Sequence, residues 1–387
     1  MRMAPGALGY HAKVDRDGFR ELVKAVVEQG DTLTRAQAHS LLGFVLADTT
    51  MAADPAATLP AEVSLAALLA VMARRGETAE ELCGFAQAMR AASTTIPLNE
   101  TERGRVVDTC GTGGDGLDTL NISTAAGLVA AGAGAWIAKH GNRAITSRCG
   151  SADVLEALGV PIALTPDAGA RCLRETHFLF MLASALHPAM RRLGPMRRAL
   201  PFRTILNLAG PLTNPAGAQA QVVGVFAQER IVIVAEALRM LGTRHALVVH
   251  GEVAPREREQ RSLNPPIQPA RQGLDELTVT GPSSYARVQG NLLQTGVLAP
   301  EELGMARVDI AALAGGATAA ENAGLIEAIL QGIDRGPRRD IVLLNAGAAL
   351  EVAGVAQDLP EGIARASEAV DGGAALDVLT KLRGFRA

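Results

Sequence analysis

From Arg105 onward the chain alternates short β-prone runs with helical ones, and this alternation limits its fold more than any other feature. RVVDTC (105–110) reads as a strand and STAAGLVAAGAG (123–134) as a helix. WIAKHG (136–141) reads as a second strand, followed by the helix SADVLEALG (151–159), opened by Ser151. VPIAL (160–164) is predicted to be a strand. TPDAGARCLRETH (165–177) is predicted to be a helix, capped by Thr165 with Pro166 at its first position. FLFMLAS (178–184), QVVGVF (221–226) and HALVVHG (245–251) continue the strands, with the helix RIVIVAEALRML (230–241) between the last two. Parallel neighbours need a crossover long enough to hold a helix, so such alternation implies a mainly parallel sheet covered by helices. Apolar residues make up 48% of the chain but aromatics only 3%, and there are 41 glycines. The core must therefore be built from small aliphatic side chains, with helices packed closely.

The first hundred residues lack that alternation. Thr34 with Gln37 forms a capping box before Leu41, Leu42, Val45 and Leu46. Leu65, Leu68, Leu69 and Met72 recur at helical spacing, and Gly76 can end that helix. Thr78 with Glu81 forms a second box before Leu82, Phe85 and Met89. This describes a small helical domain over 14–97. The helical stretch HPAMRRLGPMRRALPFRTILNLAG (187–210) interrupts the later alternation, so about 185–207 is expected to rejoin that domain. The rest, 105–184 and 208–387, forms a larger α/β domain. VAPREREQRSLNPPIQPARQ (253–272) is charged, Pro-rich and nearly free of apolar residues, and reads as a flexible insertion.

A formal charge of −3 argues against a general nucleic-acid binder, which needs a basic surplus. No apolar run is long enough for a signal peptide or a membrane span. Cys83, Cys110, Cys149 and Cys172 form no CxxC pair and lie at no metal-ligand spacing from a histidine. The expectation is a cytoplasmic protein with no membrane or nucleic-acid partner.

Chemistry concentrates in two loops. DTCGTGGDGLDTLNIST (108–124) lies between a strand and a helix. Glycines 111, 113, 114 and 116 let main-chain N–H groups approach an anion, and the helix beginning near Ser123 adds its positive end. The segment is not a Walker loop, because no Gly-Lys-Ser/Thr follows. It satisfies GxGxxG, but the next strand ends in Lys139-His140 rather than in the acid that a dinucleotide's ribose requires. A cation there suits further phosphate. The second loop, KHGNRAITSRCGSADVLEALG (139–159), gathers Lys139, His140, Asn142, Arg143, Thr146, Ser147 and Arg148. Together the two loops can surround a doubly phosphorylated ligand.

These segments resemble the GTGGD…NIST and KHGNR…GSAD motifs of anthranilate phosphoribosyltransferases. HPAMRRLGPMRR and RTILNLAGPLTNPA (187–216) are similar to that family's central helical segment, GLDELTVTGPS (273–283) to its acidic metal motif, and AAENAGLIEAIL and RRDIVLLNAGAALEVAG to its C-terminal helices. The resemblance spans nearly the whole chain. It implies transfer of the phosphoribosyl group of phosphoribosyl pyrophosphate (PRPP) to anthranilate, a step of tryptophan biosynthesis, by a homodimer that uses Mg²⁺, two ions per chain. A non-catalytic, nucleic-acid-binding relative of the same fold is the alternative.

The resemblance also assigns residues. Gly111, Gly114, Asp115, Thr119, Asn121, Ile122, Ser123 and Thr124 would line the PRPP site. Lys139 would be the main cation on phosphate, and His140, Gly141, Asn142, Arg143, Ala144, Ile145, Thr146, Ser147 and Ser151 would enclose ribose and phosphates. Ser123, Asp275 and Glu276 would hold metal, while Gly111, Asn142 and Arg197 would meet anthranilate. His140 and His187 are candidate proton acceptors. Leu120 stands where the family usually has Phe, and Cys149 where Ser is common. The insertion separates His250-Gly251 from the acidic motif, which the family joins closely.

Overall fold

The computed structural model of the chain describes residues 14–47, 55–144, 148–253 and 273–386, with the side chains of 55–60 excepted. Close packing divides it into two units. One takes in the described residues up to Thr94 together with Leu186–Thr213; the other takes in Thr95–Ala185 and the described residues from Asn214 onward.

Among its described residues the first unit holds helices and no strand, with α1 (Arg16–Gln29), α2 (Arg35–Ala47), α3 (Pro55–Arg75) and α4 (Ala79–Ala91) followed by short helices at Pro188–Arg192, Gly194–Ala199 and Ile205–Ala209. Both capping boxes are present. Thr34 and Gln37 exchange bonds at 2.9 and 3.3 Å, and Thr78 and Glu81 at 2.9 and 3.2 Å. Glu81 is fully buried, and its other oxygen accepts from Leu33 N–H at 2.9 Å and Arg75 at 2.7 Å. A Cβ on Gly84 would overlap the Arg35 carbonyl, so α2 and α4 meet backbone to backbone. The predicted apolar positions Leu41, Leu42, Val45, Leu65, Leu68, Leu69 and Met72 are all fully buried.

The second unit is built on one sheet. Its strands are β1 (Val106–Gly111), β2 (Trp136–Gly141), β3 (Phe178–Leu182), β4 (Ala220–Gly224), β5 (His245–Glu252), β6 (Gly273–Leu274), β7 (Ser283–Gln289) and β8 (Leu292–Leu298). Their order is β3-β2-β1-β4-β5-β7-β8, with β6 beside β5. The first five run parallel, and β6, β7 and β8 join antiparallel. From β1 the chain builds outward through β2 and β3 on one side and through β4 and β5 on the other. The gap between β1 and β4 is thus the topological switch point, beyond whose carboxyl ends ligands bind in open α/β sheets.

Two helices fix that region. The helix at Ile122–Gly132 packs on β1 and β2, and Gly127 brings it within van der Waals reach of Phe178 and Ile137. The helix at Pro337–Ala353 is buried from Ile341 to Val352 and packs against the Ile122–Gly132 helix and β4. It crosses the helix at Leu359–Asp371 where Gly347 faces Gly362, and a Cβ on Gly362 would overlap the Gly347 carbonyl. Small residues therefore set the helix spacing, as the composition implied.

Two local readings need correction. Val160–Leu164 is an irregular connector and not a strand: Pro161 has no N–H for a ladder, and Val160 and Ile162 are buried as packing residues. The helix at Ser151–Ala157 opens at Ser151 as read, with Gly150 as the cap residue before it; Asp153 accepts the Gly150 N–H at 3.0 Å. The insertion was read from Val253, but Val253 is 7% exposed and belongs to the core; residues 254–272 lie outside the described residues. Elements absent from the sequence reading include a short helix at Glu100–Arg105, capped by Asn99 with Glu102, the C-terminal helices at Leu359–Asp371 and Ala374–Gly384, and the antiparallel hairpin β7–β8.

Candidate active site

The site is assembled at the carboxyl ends of β1 and β4, which pair through Gly111 and Gly224. After β1 the main chain turns through Gly113, Gly114, Gly116 and Asp118, all at positive φ (70°, 80°, 71° and 49°). The loop is tied at several points. Thr112 N–H donates to Gly224 O at 2.9 Å, and Phe226 N–H to the Thr112 hydroxyl at 3.1 Å. Thr119 bridges Ala314, Leu120 N–H donates to Leu313 O at 3.0 Å, and Gly315 N–H to Asp118 O at 3.0 Å. Leu120 is buried, so the aliphatic residue at this position serves as packing.

The acidic motif meets this loop directly. Asp275 Oδ2 accepts the Gly113 N–H at 2.7 Å, and Glu276 Oε1 accepts the Ser123 N–H at 3.1 Å at the opening of the Ile122–Gly132 helix. Burial first, and then the neighbouring Asp275, push the Glu276 carboxyl above the usual carboxylate range; Lys139 and Ser123 oppose this. Lys139 is 2% exposed, and its ammonium donates to Thr109 O and, at 3.1 Å, to the Ser123 hydroxyl. Glu276 and Lys139 thus meet on Ser123 at the helix N-terminus, and Asp275 holds the Gly-rich loop beside them.

These residues fit a hard cation. Two carboxylates and a hydroxyl are oxygen donors of the kind Mg²⁺ prefers, and a nearby cation would reverse the upward shift of Glu276. Among the described residues no cluster of three or more His, Cys, Asp or Glu could hold a metal alone. Mg²⁺ takes much of its coordination from phosphates and water.

The second loop leaves β2 at Gly141. A Cβ there would overlap the Ser151 hydroxyl, and one on Gly150 would overlap the Ala144 N–H. Asn142 O accepts from Ala152 N–H at 3.2 Å and the Ser151 hydroxyl at 3.3 Å, and Asp153 accepts the Ala144 N–H at 2.9 Å. Asn121 joins the two loops by donating to Cys149 O at 3.0 Å, so position 149 enters through its main chain. Across the loops Arg148 pairs with Asp118 at 3.0 Å.

Several assigned residues sit differently. The Arg143 guanidinium turns to Asp153 and Glu156, at 3.1 and 2.8 Å. Ile122 and Thr124 are buried in the helix face. His140 is buried on β2, its N–H donating to Asp108 Oδ1 at 3.0 Å. His187 and Arg197 belong to the helical unit. Burial pulls the His187 imidazole down to about 4, which makes it a weak proton acceptor near neutrality. Arg197 is exposed in the helix at Gly194–Ala199. Ile145, Thr146 and Ser147 lie outside the described residues. The sequence reading passed over Asp108 and Asn214, both buried behind Lys139; their only signal was an acid inside an apolar strand and an Asn before Pro215.

With this geometry in place, comparison with known proteins is informative. The glycosyl transferase family's a/b domain matches residues 103–260 and 267–376, and its helical bundle domain matches residues 20–93. The anthranilate phosphoribosyltransferase of Chloroflexus aggregans is 46% identical over 365 residues, 94% of this chain and 97% of that one. That of Rubrobacter xylanophilus is 46% identical over 352 residues, 91% and 93% of the two chains. The crystal structure of the Thermus thermophilus anthranilate phosphoribosyltransferase superposes with a TM-score of 0.81 at 38% identity, covering 94% of this chain and 98% of that one. The Saccharomyces cerevisiae enzyme, solved with PRPP and Mg, shares the fold at a TM-score of 0.79 and 24% identity, covering 96% and 98%.

Proposed function

The chain belongs to the glycosyl transferase family, among its anthranilate phosphoribosyltransferases, and from that premise we propose how its own residues carry the transfer. The reaction joins the anthranilate amine to ribose C1 of PRPP and releases pyrophosphate. Both bacterial relatives carry the transferase's name, which supports the enzyme over a non-catalytic nucleic-acid binder.

One observation carries the assignment of roles: the Gly-rich loop, Lys139, Ser123 and the Asp275-Glu276 pair meet at the switch point of the sheet. Displacement at C1 passes through an oxocarbenium-like state while negative charge builds on the departing pyrophosphate. Donors fixed where charge develops favour that state over the ground state. The main chain from Gly111 to Thr124, with Asp115, Thr119 and Asn121, would line the pyrophosphate, and Lys139 would supply the fixed positive charge. Mg²⁺ held by Ser123, Asp275 and Glu276, two ions per chain, would neutralise the phosphates when bound. Gly141, Asn142, Ala144 and Ser151, with Ile145, Thr146 and Ser147, would enclose ribose and phosphate. Arg143, its guanidinium already paired, would contribute through its main chain, and so would Ile122.

Anthranilate's aromatic amine is neutral near pH 7, so the attack needs no strong base. Its carboxylate calls for a guanidinium, which Arg197 offers as a two-pronged donor, with Gly111 and Asn142 as the other contacts. His140 is the better-placed of the two candidate proton acceptors, since it follows Lys139 on β2. A small helical domain, an α/β domain bearing PRPP and metal, assembly as a homodimer and a cytoplasmic location complete the reading. None of the four cysteines forms a disulfide, as a reducing compartment would allow. No helix among the described residues is long and apolar enough to cross a membrane.

Loss of anthranilate fluorescence on mixing with PRPP and Mg²⁺ tests the whole reading. Turnover is expected; a folded sample with none would overturn it.

A further inference from the structure

The main-chain ladder between β1 and β2 ends early. They pair only at Val106↔Trp136 and Val107↔Ile137. Each keeps its other neighbour much further: β1 stays on β4 to Gly111↔Gly224, and β2 stays on β3 to Gly141↔Leu182. The stretch beyond, an opening in the hydrogen-bond ladder and not in the strand spacing, lies beneath the Gly-rich loop.

Side chains fill that opening. Asp108 Oδ1 accepts the His140 N–H at 3.0 Å. Asn214 donates through Nδ2 both to Asp108 Oδ2 at 2.7 Å, on β1, and to Ala138 O at 2.8 Å, on β2. Its Oδ1 accepts the Ala216 N–H at 2.9 Å, which fixes which way the carboxamide faces. Lys139, between Ala138 and His140, sends its ammonium through the opening to Thr109 O and Ser123 Oγ. Asp108, Lys139 and Asn214 are 0%, 2% and 5% exposed.

Burying a carboxylate and a carboxamide here is costly, and an apolar filling of the same volume would suit a sheet interior at least as well. What the polar filling achieves is geometric. It bolts the main chain on both sides of Lys139, at Ala138 O and His140 N–H, to one rigid pair, and so sets where the ammonium emerges. We propose that Asp108 and Asn214 act together as positioning residues that bridge β1 and β2 where their ladder ends and aim Lys139 at the PRPP phosphates. The inference rests on the role assigned to Lys139 above. Neither residue touches substrate in this reading; both act through Lys139.

The test is a cycle of variants in the full chain, reading PRPP binding by calorimetry with Mg²⁺ and, separately, steady-state turnover. Asn214→Ala removes both donated bonds. It is expected to weaken PRPP binding about tenfold or more while the KM for anthranilate changes by less than about threefold. In a Lys139→Ala background the same substitution should cost little further PRPP affinity, because non-additivity of this kind marks residues acting through one another. Asn214→Ser, which keeps one donor, should fall between and supplies the reading if Asn214→Ala does not fold. Asp108→Asn, which turns an acceptor into a donor facing N–H groups, should follow Asn214→Ala. A folded variant with unchanged PRPP affinity, equal losses for both substrates, or full additivity with Lys139→Ala would overturn the proposal. If the wild-type chain binds PRPP but does not turn over anthranilate, the functional reading fails while the calorimetric cycle still judges the positioning role.

Discussion

The main-chain carbonyl of Asp275 lies against the Cα of Gly224, so that a Cβ on Gly224 would overlap it. Gly111, the paired residue on β1, is closed in the same way by the Asp275 carboxylate. Two adjacent strand ends thus lack side chains so that the acidic motif can lie flat across the switch point and reach the loop N–H groups of Gly113 and Ser123.

Gly224→Ala should therefore dislodge the metal motif without introducing any new chemistry. Overpacking of this kind costs about 1–3 kcal/mol of stability, and turnover should fall at least about tenfold with a raised requirement for Mg²⁺. Replacing Asp275 and Glu276 together by Ala should weaken Mg²⁺-dependent turnover still more while the fold survives. Magnesium titrations of activity beside thermal melts read both. An unchanged Mg²⁺ requirement in the double variant would remove these acids from the metal site.

Arg197→Ala should raise the KM for anthranilate far more than that for PRPP. A charge-assisted contact with a carboxylate is worth on the order of 1.5–3 kcal/mol, hence roughly a tenfold to hundredfold effect. Steady-state kinetics with each substrate varied in turn would show it. Matching increases in both KM values would mean that Arg197 supports packing and not the anthranilate carboxylate.

Much of this was legible from sequence because caps and periodicity act locally. Thr34, Thr78 and Thr165 mark helix starts through contacts three residues away, and the alternation from Arg105 forces parallel strands. The misreadings share one cause, which is that packing decided them. Val160 and Ile162 look β-prone and are buried, yet no neighbouring strand offers them a ladder. The hairpin of β7 and β8 turns through Gly290, at a φ of 58°, and Asn291, a signal present in the sequence but masked by the mixed polarity of β8. Asp108 could be read as an acid in a strand, but its partner Asn214 is 106 residues away and only the folded sheet brings them together.

Histidine burial predicts an acid-sensitive fold. Burial, then Arg287 and Arg244, hold His245 at about 4, against 6.5 for a free imidazole. The native state then binds fewer protons than the unfolded chain between these values. Stability is complete above about 6.5 and is lost as pH falls through the window toward 4, by roughly 3 kcal/mol at most for this group. Denaturant titrations between pH 4 and 7 should show the slope, and His245→Gln should lessen it by about half, since His187 is lowered over the same window. An identical slope in that variant would assign the acid sensitivity elsewhere.

The segment between β5 and β6 offers the last test. Glu252 pairs with Gly273 and Gly251 with Leu274, antiparallel, so the two ends of the insertion are already neighbours in the sheet. Val253 is a core residue and must be kept. Closing a long surface loop costs little more free energy than closing a short one, and the sequence from 254 to 272 carries no phosphate-binding pattern. Replacing 254–272 by a short Gly- and Asn-containing turn after Val253 should therefore leave the melting temperature and turnover nearly intact, because strand pairing and not the intervening chain holds Asp275 and Glu276. The segment is also rich in arginine, which gives the opposite outcome a clear signature: a variant that folds normally yet shows a KM for PRPP raised about tenfold would mean that those side chains reach the phosphates. Steady-state kinetics on the spliced chain, with PRPP varied at saturating anthranilate, separates the two.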